Sequence, residues 1–96
     1  ASMDSEVTLV SDFRCVYCIR MTVKDEPGTL AALSTTFANH GVSLKNVIQL
    51  GDKQGANARI TFMTHMANEF GVRDALDELR SLSCLESIES LIRVEE

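Results

Sequence analysis

A seven-residue segment, residues 24–30 with the sequence KDEPGTL, constrains the fold of this chain more than any other feature. Apolar and polar residues alternate before it, which predicts a strand over residues 17–23, and apolar residues recur at helical spacing after it, which predicts a helix over residues 29–39. Pro27 fixes its own φ and disfavours helical geometry at Glu26, so the strand has to end there. Gly28 permits a tight turn because it lacks a Cβ. The segment therefore predicts a sharp turn from a strand into a helix.

The start of this helix is a candidate binding site for a small anion. The backbone N–H groups of Gly28, Thr29 and Leu30 would lie at the helix N-terminus, where unpaired donors and the helix dipole favour a carboxylate. A strand-to-helix turn that binds nothing would have the same local sequence, so the turn alone leaves both interpretations open.

The rest of the chain repeats this order of elements. A second strand is predicted over residues 42–50, and Gly41 before it suits the left-handed position at the end of the first helix. A polar loop bounded by Gly51 and Gly55 precedes a third strand that begins near residue 58 and ends near residue 65. Asn68 is placed to cap a second helix, and the last strand covers residues 88–94.

The apolar periodicity also predicts which side chains share a buried face. These are Tyr17, Ile19, Met21 and Val23 of the first strand; Leu30, Leu33 and Phe37 of the first helix; Val42, Leu44, Ile48 and Leu50 of the second strand; Ala58, Ile60 and Phe62 of the third; Val72, Ala75 or Leu76, Leu79 and Leu82 of the second helix; and Ile88, Ile92 and Val94 of the last strand.

Two strand–helix–strand halves predict a ferredoxin-like α+β sandwich with the order βαββαβ, in which a four-stranded antiparallel sheet carries both helices on one face. The other sheet face would mix Arg20, Thr22, Thr61 and Met63, which makes it a candidate partner surface. Residues 1–14 are expected to form a flexible lead-in, a cloning remnant followed by a linker from a missing catalytic region, and residues 15–96 to form the domain.

Composition excludes several classes of function. The net charge of -5 argues against nucleic acid, whose binding is dominated by the neutralisation of phosphates. No apolar run is long enough to span a membrane, and no secretory leader opens the chain. Three cysteines without such a leader indicate free thiols in a reducing cytoplasm. The expected setting is therefore cytoplasmic, with no nucleic acid and no membrane as partners.

No catalytic or metal site is predicted. Cys15 and Cys18 have C-x-x-C spacing, but residues three apart on a strand point to opposite faces. Cys84, His40 and His65 lie on separate elements. No nucleophile elbow and no dinucleotide-binding glycine motif is present. The residues alone therefore point to binding and not to chemistry.

Two longer segments resemble the ACT domain, a small amino-acid-sensing module attached to many metabolic enzymes. They are residues 19–30, IRMTVKDEPGTL, and residues 40–49, HGVSLKNVIQ. Together with residues 60–65, ITFMTH, and residues 90–95, SLIRVE, they are similar to the C-terminal regulatory domain of homoserine dehydrogenases. The resemblance runs from about residue 15 to the last residue of the chain.

The resemblance implies what this domain would sense. Homoserine dehydrogenases reduce aspartate semialdehyde with NAD(P)H in a catalytic region outside this chain, so no cofactor is expected here. Their usual effector is threonine. In ACT domains the effector commonly lies between the first turn of one copy and the second strand of its partner, which implies a homodimer or higher oligomer joined through sheet edges. The corresponding residues are Asp25, Gly28, Thr29 and Leu30 on one side and Asn46, Val47, Ile48 and Gln49 on the other.

Other functions remain as alternatives. The domain could sense another amino acid, such as serine in the tail of phosphoglycerate dehydrogenase, or it could bind nothing and serve only in dimerisation. An RNA-binding domain of the same topology is disfavoured by the acidic charge and the scarcity of aromatic residues. A stand-alone enzyme of this fold is disfavoured because no catalytic cluster is present.

Overall fold

The computed structural model describes residues 14–51 and 55–94. Its elements are β1 (Arg14–Lys24), α1 (Thr29–Asn39), β2 (Leu44–Gly51), β3 (Asn57–Thr64), the two-residue β4 (Ala67–Asn68), α2 (Glu69–Leu79) and β5 (Leu85–Val94). The predicted order is confirmed, with β4 as an addition. The predicted lead-in lies outside the described residues except for Arg14, which already belongs to β1. Residues 52–54 of the predicted loop also lie outside the described residues.

The strands form one open antiparallel sheet. The main order is β2-β3-β1-β5, so β1 is central and β2 and β5 are the edges. The short β4 pairs with the first two residues of β1. With two helices packed against it, the sheet has the ferredoxin-like architecture that the sequence predicts.

One face of the sheet and the two helices enclose the core. All four predicted inward residues of β1 are buried, as are Ala58, Ile60 and Phe62 of β3. The rings of Phe37 on α1 and Phe62 on β3 have centroids 5.1 Å apart and are tilted by 56°. This tilted contact between aromatic rings fixes α1 on the centre of the sheet.

The predicted buried stripe of α1 is wrong at one residue. Leu33 and Phe37 are fully buried, but Leu30 is 40% exposed and Thr29 takes the position one turn before Leu33. A helix repeats every 3.6 residues, so a stripe of Thr29, Leu33 and Phe37, at i, i+4 and i+8, lies along one side of the helix as well as the predicted stripe that begins at Leu30. Leu30 therefore lies at the side of the helix and is available for contacts outside the core.

The predicted face of β2 is also wrong, because the strand contains a bulge. The pairing shifts between Leu44, opposite Thr64, and Asn46, opposite Met63. One extra residue reverses the side on which later side chains emerge. Leu44 packs against the core, whereas Ile48 and Leu50 are 58% and 66% exposed on the opposite face.

The same kind of irregularity corrects the prediction for β5. The shift in its pairing with β1 between Arg20 and Met21 puts Ile88 opposite the buried Met21 but Ile92 opposite Cys18 on the open face. Val94 pairs with Val16 on that open face as well. Ile88, Ile92 and Val94 therefore do not share a face, and Ile92 is 52% exposed.

The start of α2 follows the prediction. The Asn68 side chain accepts a hydrogen bond from the Phe70 N–H at 2.8 Å, which caps the helix. Val72, Ala75, Leu76 and Leu79 are all buried. The helix ends at Leu79, so Leu82 packs against the core from the segment that follows and not from the helix itself.

Replacing Gly71 by alanine is expected to destabilise the domain by about 1–3 kcal/mol through overpacking. A Cβ on this residue of α2 would lie 2.9 Å from the backbone oxygen of His40 at the end of α1. In an exposed helix interior the same change would stabilise by up to about 1 kcal/mol. Urea denaturation should show a lower midpoint; an unchanged or higher midpoint would mean that the helices do not approach this closely.

Candidate functional site

The turn between β1 and α1 has the geometry that the sequence predicts. Gly28 adopts φ 88° in the left-handed region, and a Cβ there would meet no atom within 4 Å. Backbone bonds hold the turn in place: the Lys24 N–H donates to the Cys84 oxygen at 2.8 Å, and the Asp25 N–H donates to the Ala56 oxygen at 3.1 Å. A fixed turn with open space beside its glycine provides room for a ligand to approach the backbone.

No side chain within residues 14–51 and 55–94 caps the start of α1. The first helical bond runs from the Ala32 N–H to the Gly28 oxygen, and the Thr29 N–H donates to the Glu26 oxygen at 3.2 Å. Of the three predicted amides, that of Thr29 is therefore already engaged. The Leu30 and Ala31 N–H groups have no partner among the described residues. The start of α2 is different, because there the Asn68 side chain accepts a hydrogen bond from a backbone amide and Glu69 adds an acidic side chain.

Thr29 adds an unusual polar group at the same place. The residue is 5% exposed, yet its Oγ1 has no hydrogen-bond partner among the described residues. A buried hydroxyl without a partner costs about 1–3 kcal/mol, so such groups need an explanation. The hydroxyl lies on the core-facing side of α1 and is closed off from solvent, so it adds an enclosed polar atom next to the uncapped amides and not a contact for a ligand at the surface.

The turn meets the end of β2 within one copy of the chain. Oδ2 of Asp25 lies 3.8 Å from the position that a Cβ on Gly51 would occupy. Gly51 pairs with the buried Ala58, so a Cβ at this position of β2 would lie on the helix side of the sheet. The sequence did not identify Gly51 as part of the site, because only the fold brings it next to Asp25.

The four predicted effector residues of β2 alternate between the two faces of the sheet, and the bulge that precedes them decides which pair lies on which face. Val47 and Gln49 pair with Phe62 and Ile60, whose side chains are buried on the helix side. Asn46 and Ile48 pair with Met63 and Thr61 on the open face. The structure therefore places Gln49 and Val47 on the same side of the sheet as α1, and Asn46 and Ile48 on the other.

The edge at β2 is open to a partner. From Asn46 to the end of the strand every residue is exposed, and three of them, Val47, Ile48 and Leu50, are large and apolar. The other edge, β5, carries two bulges, which disrupt strand pairing. The regular part of β2 is therefore the better template for adding a strand from another chain.

Other clusters of ionisable groups hold the fold together. Glu69 accepts from Arg73 Nε and Arg93 Nη2, both at 2.9 Å, which joins α2 to β5. The hydrogen bond from Arg73 lowers the pKa of Glu69, and burial raises the pKa of Tyr17, whose hydroxyl lies 3.5 Å from the same carboxylate. These charges lie on α2 and β5, away from the turn that precedes α1.

Neither the histidines nor the cysteines form a recognisable reactive site. His40 Nε2 lies 2.8 Å from Oε1 of Glu78, a carboxylate partner that the sequence did not reveal. Cys15 packs against the core, whereas Cys18 lies on the open face opposite Met63. Across residues 14–51 and 55–94, no three His, Cys, Asp or Glu side chains cluster as metal ligands would.

Fold and site together define a small α+β sandwich with an open sheet face, an exposed edge strand and an uncapped helix start beside a glycine turn. Residues 19–84 match the family model described as the ACT domain. The chain belongs to the ACT domain family.

Within this family, the chain is similar to part of the homoserine dehydrogenases. The chain is 36% identical to a homoserine dehydrogenase of Synechocystis sp. over 93% of its own length and 20% of that protein. It is 34% identical to a homoserine dehydrogenase of Helicobacter pylori over 88% of its length and 20% of that protein. A solved homoserine dehydrogenase from Thiobacillus denitrificans superimposes with a TM-score of 0.78 at 24% identity, covering 91% of this chain and 19% of that one. The chain thus spans about a fifth of the length of these relatives.

Neither α1 nor α2, the helices of the described residues, has the length and apolar character that crossing a membrane requires.

Proposed function

We propose that this chain is the regulatory amino-acid-binding domain of a homoserine dehydrogenase and that it senses threonine. The enzyme's NAD(P)-dependent reduction of aspartate semialdehyde would take place in a separate catalytic region. The observation that carries the proposal is the uncapped start of α1 beside Gly28, where the amides of Leu30 and Ala31 have no partner in the part of the chain that the structure describes. Family membership and the homoserine dehydrogenase relatives support a regulatory domain of such an enzyme, whose usual effector is expected to be threonine.

The groups around the turn suit the three polar parts of threonine. The free amides at the start of α1 would hold the carboxylate, since a helix N-terminus favours negative charge. The Asp25 carboxylate beside Gly51 would attract the ammonium group. The Gln49 side chain, on the helix side of β2, can both donate to and accept from the hydroxyl.

A second copy would complete this pocket. Antiparallel pairing of two β2 edges would extend the sheet and cover the apolar side chains of Val47 and Leu30, which are each 40% exposed. A ligand that binds the paired form more tightly than other forms would shift the population toward it. Feedback control of the catalytic region would then follow from the larger fraction of molecules in the paired form.

The affinity that such a sensor requires is modest. An effector present at millimolar concentration needs a binding free energy of only about -4 kcal/mol. Each net hydrogen bond contributes about 0.5–1.5 kcal/mol, and those to charged groups contribute about 1.5–3 kcal/mol. Two or three bonds from the groups at the turn are therefore enough.

Replacing Gln49 by alanine tests the assignment of the pocket. Loss of one hydrogen bond is expected to weaken threonine binding by about 2- to 12-fold, measured by isothermal titration calorimetry. Asn46→Ala provides the comparison, because Asn46 lies on the opposite face of the same strand. We expect the larger loss for Gln49→Ala. If Gln49→Ala leaves threonine binding unchanged, the pocket is assigned to the wrong residues.

A domain that only dimerises is the second candidate, and the exposed, apolar and regular edge of β2 supports it. This function predicts a dimer whose mass does not depend on any amino acid. A sensor of serine would instead bind serine in preference to threonine. A panel of amino acids titrated into the chain, with its mass determined in parallel, separates these three functions.

A further inference from the structure

We propose that the open face of the sheet holds a second binding site, for a small organic anion that joins one carboxylate or phosphate to an apolar group. This site lies on the face opposite the helices and does not depend on the proposed effector site. The side chains of β1, β2 and β3 border a groove of about 630 Å³ on this face. That volume is in the range of pockets for small organic ligands, about 300–1,000 Å³.

Strand pairing arranges the groove as two parallel rows. In one row Arg20 lies opposite Thr61, which lies opposite Ile48. In the next row Thr22 lies opposite Arg59, which lies opposite Leu50. The two arginines are therefore diagonal neighbours on adjacent strands, a relation in which the Cα atoms lie about 7–8 Å apart. Their guanidinium groups can reach the same anion.

Positive charge is in excess in the groove. No ion pair links Arg20 or Arg59 to a carboxylate among the described residues. Glu89 also borders the groove and brings one negative charge against these two positive ones; its carboxylate accepts from the hydroxyls of Thr22, at 2.9 Å, and Ser87. Two like charges on neighbouring strands repel each other, and no carboxylate of the described residues forms an ion pair with either one. In a chain of net charge -5 their placement points to an external anion.

The opposite side of the groove is apolar. Ile48 and Leu50 end the two rows at the β2 edge and are 58% and 66% exposed. An anion held between Arg20 and Arg59 would place an attached apolar group over these two side chains. Arginine suits the anionic end because its planar fork binds carboxylate and phosphate with two parallel hydrogen bonds. The ligand class is therefore an anionic head with a short apolar tail.

Two-dimensional NMR of the ¹⁵N-labelled chain tests the site with hexanoate and hexyl phosphate as probes. Acetate supplies the head alone and 1-hexanol supplies the tail alone. We expect saturable shifts at the amides of Arg20, Thr22, Arg59 and Thr61, with tighter binding of hexanoate or hexyl phosphate than of either half-probe. Threonine, by contrast, would shift residues 28–31 and Gln49, so failure at one site is distinguishable from failure at the other.

Charge-removing variants complete the test. Arg20→Gln and Arg59→Gln are each expected to weaken binding of the better probe by about two- to fivefold, the range for an exposed ion pair. Arg80→Gln removes the same charge from a pair with Asp77 on α2 and should leave binding unchanged. Equal binding of 1-hexanol and hexanoate, equal effects of all three variants, or shifts confined to residues 28–31 would overturn the proposal.

Discussion

Replacing Gly28 by alanine is expected to weaken threonine binding at least about tenfold while leaving the domain folded. A residue with a Cβ at positive φ costs about 1–2 kcal/mol, which a domain of this size can tolerate. No atom of the described residues lies within 4 Å of where that Cβ would be, so the change causes no clash with them. The added methyl would instead occupy the space in which we place the effector carboxylate, and a displaced charge-assisted bond is worth about 1.5–3 kcal/mol.

Gly41→Ala is the matched control for this experiment. Gly41 has φ 74°, close to the 88° of Gly28, and a Cβ there also meets nothing within 4 Å. Both variants should therefore lose similar stability in urea denaturation, but only Gly28→Ala should lose affinity for threonine in calorimetry. Equal losses of affinity would show that strain, and not occupation of the pocket, governs binding.

Replacing Phe37 by alanine is expected to have the largest effect on stability, a loss of about 3–5 kcal/mol. Phe37 is fully buried, and its ring contacts that of Phe62, so truncation leaves a cavity between α1 and the sheet. A domain with a total stability of about 5–15 kcal/mol would become marginal. Urea denaturation at 25 °C, followed by circular dichroism, measures the loss.

Phe70→Ala controls for the chemistry of the substitution. Phe70 is 53% exposed on the first turn of α2, so its truncation removes the same atoms without opening a core cavity. We expect a change within about 0.5 kcal/mol. Similar losses for Phe37→Ala and Phe70→Ala would contradict the packing of α1 on β3.

Local sequence signals predicted most of the fold because they depend on one residue and its neighbours. Gly28 and Gly41 take the left-handed conformation, and Asn68 caps α2 with its side chain. The alternation in β1 and β3 also predicts their buried faces correctly, because both strands pair without a bulge with each other.

The errors in strand faces arise where pairing becomes irregular. A bulge adds one residue to one strand only, and its position depends on the partner strand, which a single sequence does not reveal. For this reason Ile48, Leu50 and Ile92 were predicted to be buried but lie on the open face. The predicted mixed face therefore has more exposed apolar surface than the alternation suggested.

The candidate site was predictable only in part for the same reason. The turn motif located the start of α1, but only the register of β2 assigns Gln49 to the helix side and Asn46 to the other. The proximity of Asp25 to Gly51 and the lack of a partner for the Thr29 hydroxyl depend on tertiary packing. A resemblance to a family supplied the expected effector, which the residues by themselves did not.

Isothermal titration calorimetry of this chain with threonine, serine, homoserine, lysine and methionine, with the mass in solution determined in parallel, tests the central claim most directly. We expect saturable binding of threonine in preference to the other four, by a dimer. No heat from any of the five amino acids, with the dimer intact, would contradict an amino-acid sensor and leave a domain that serves in dimerisation.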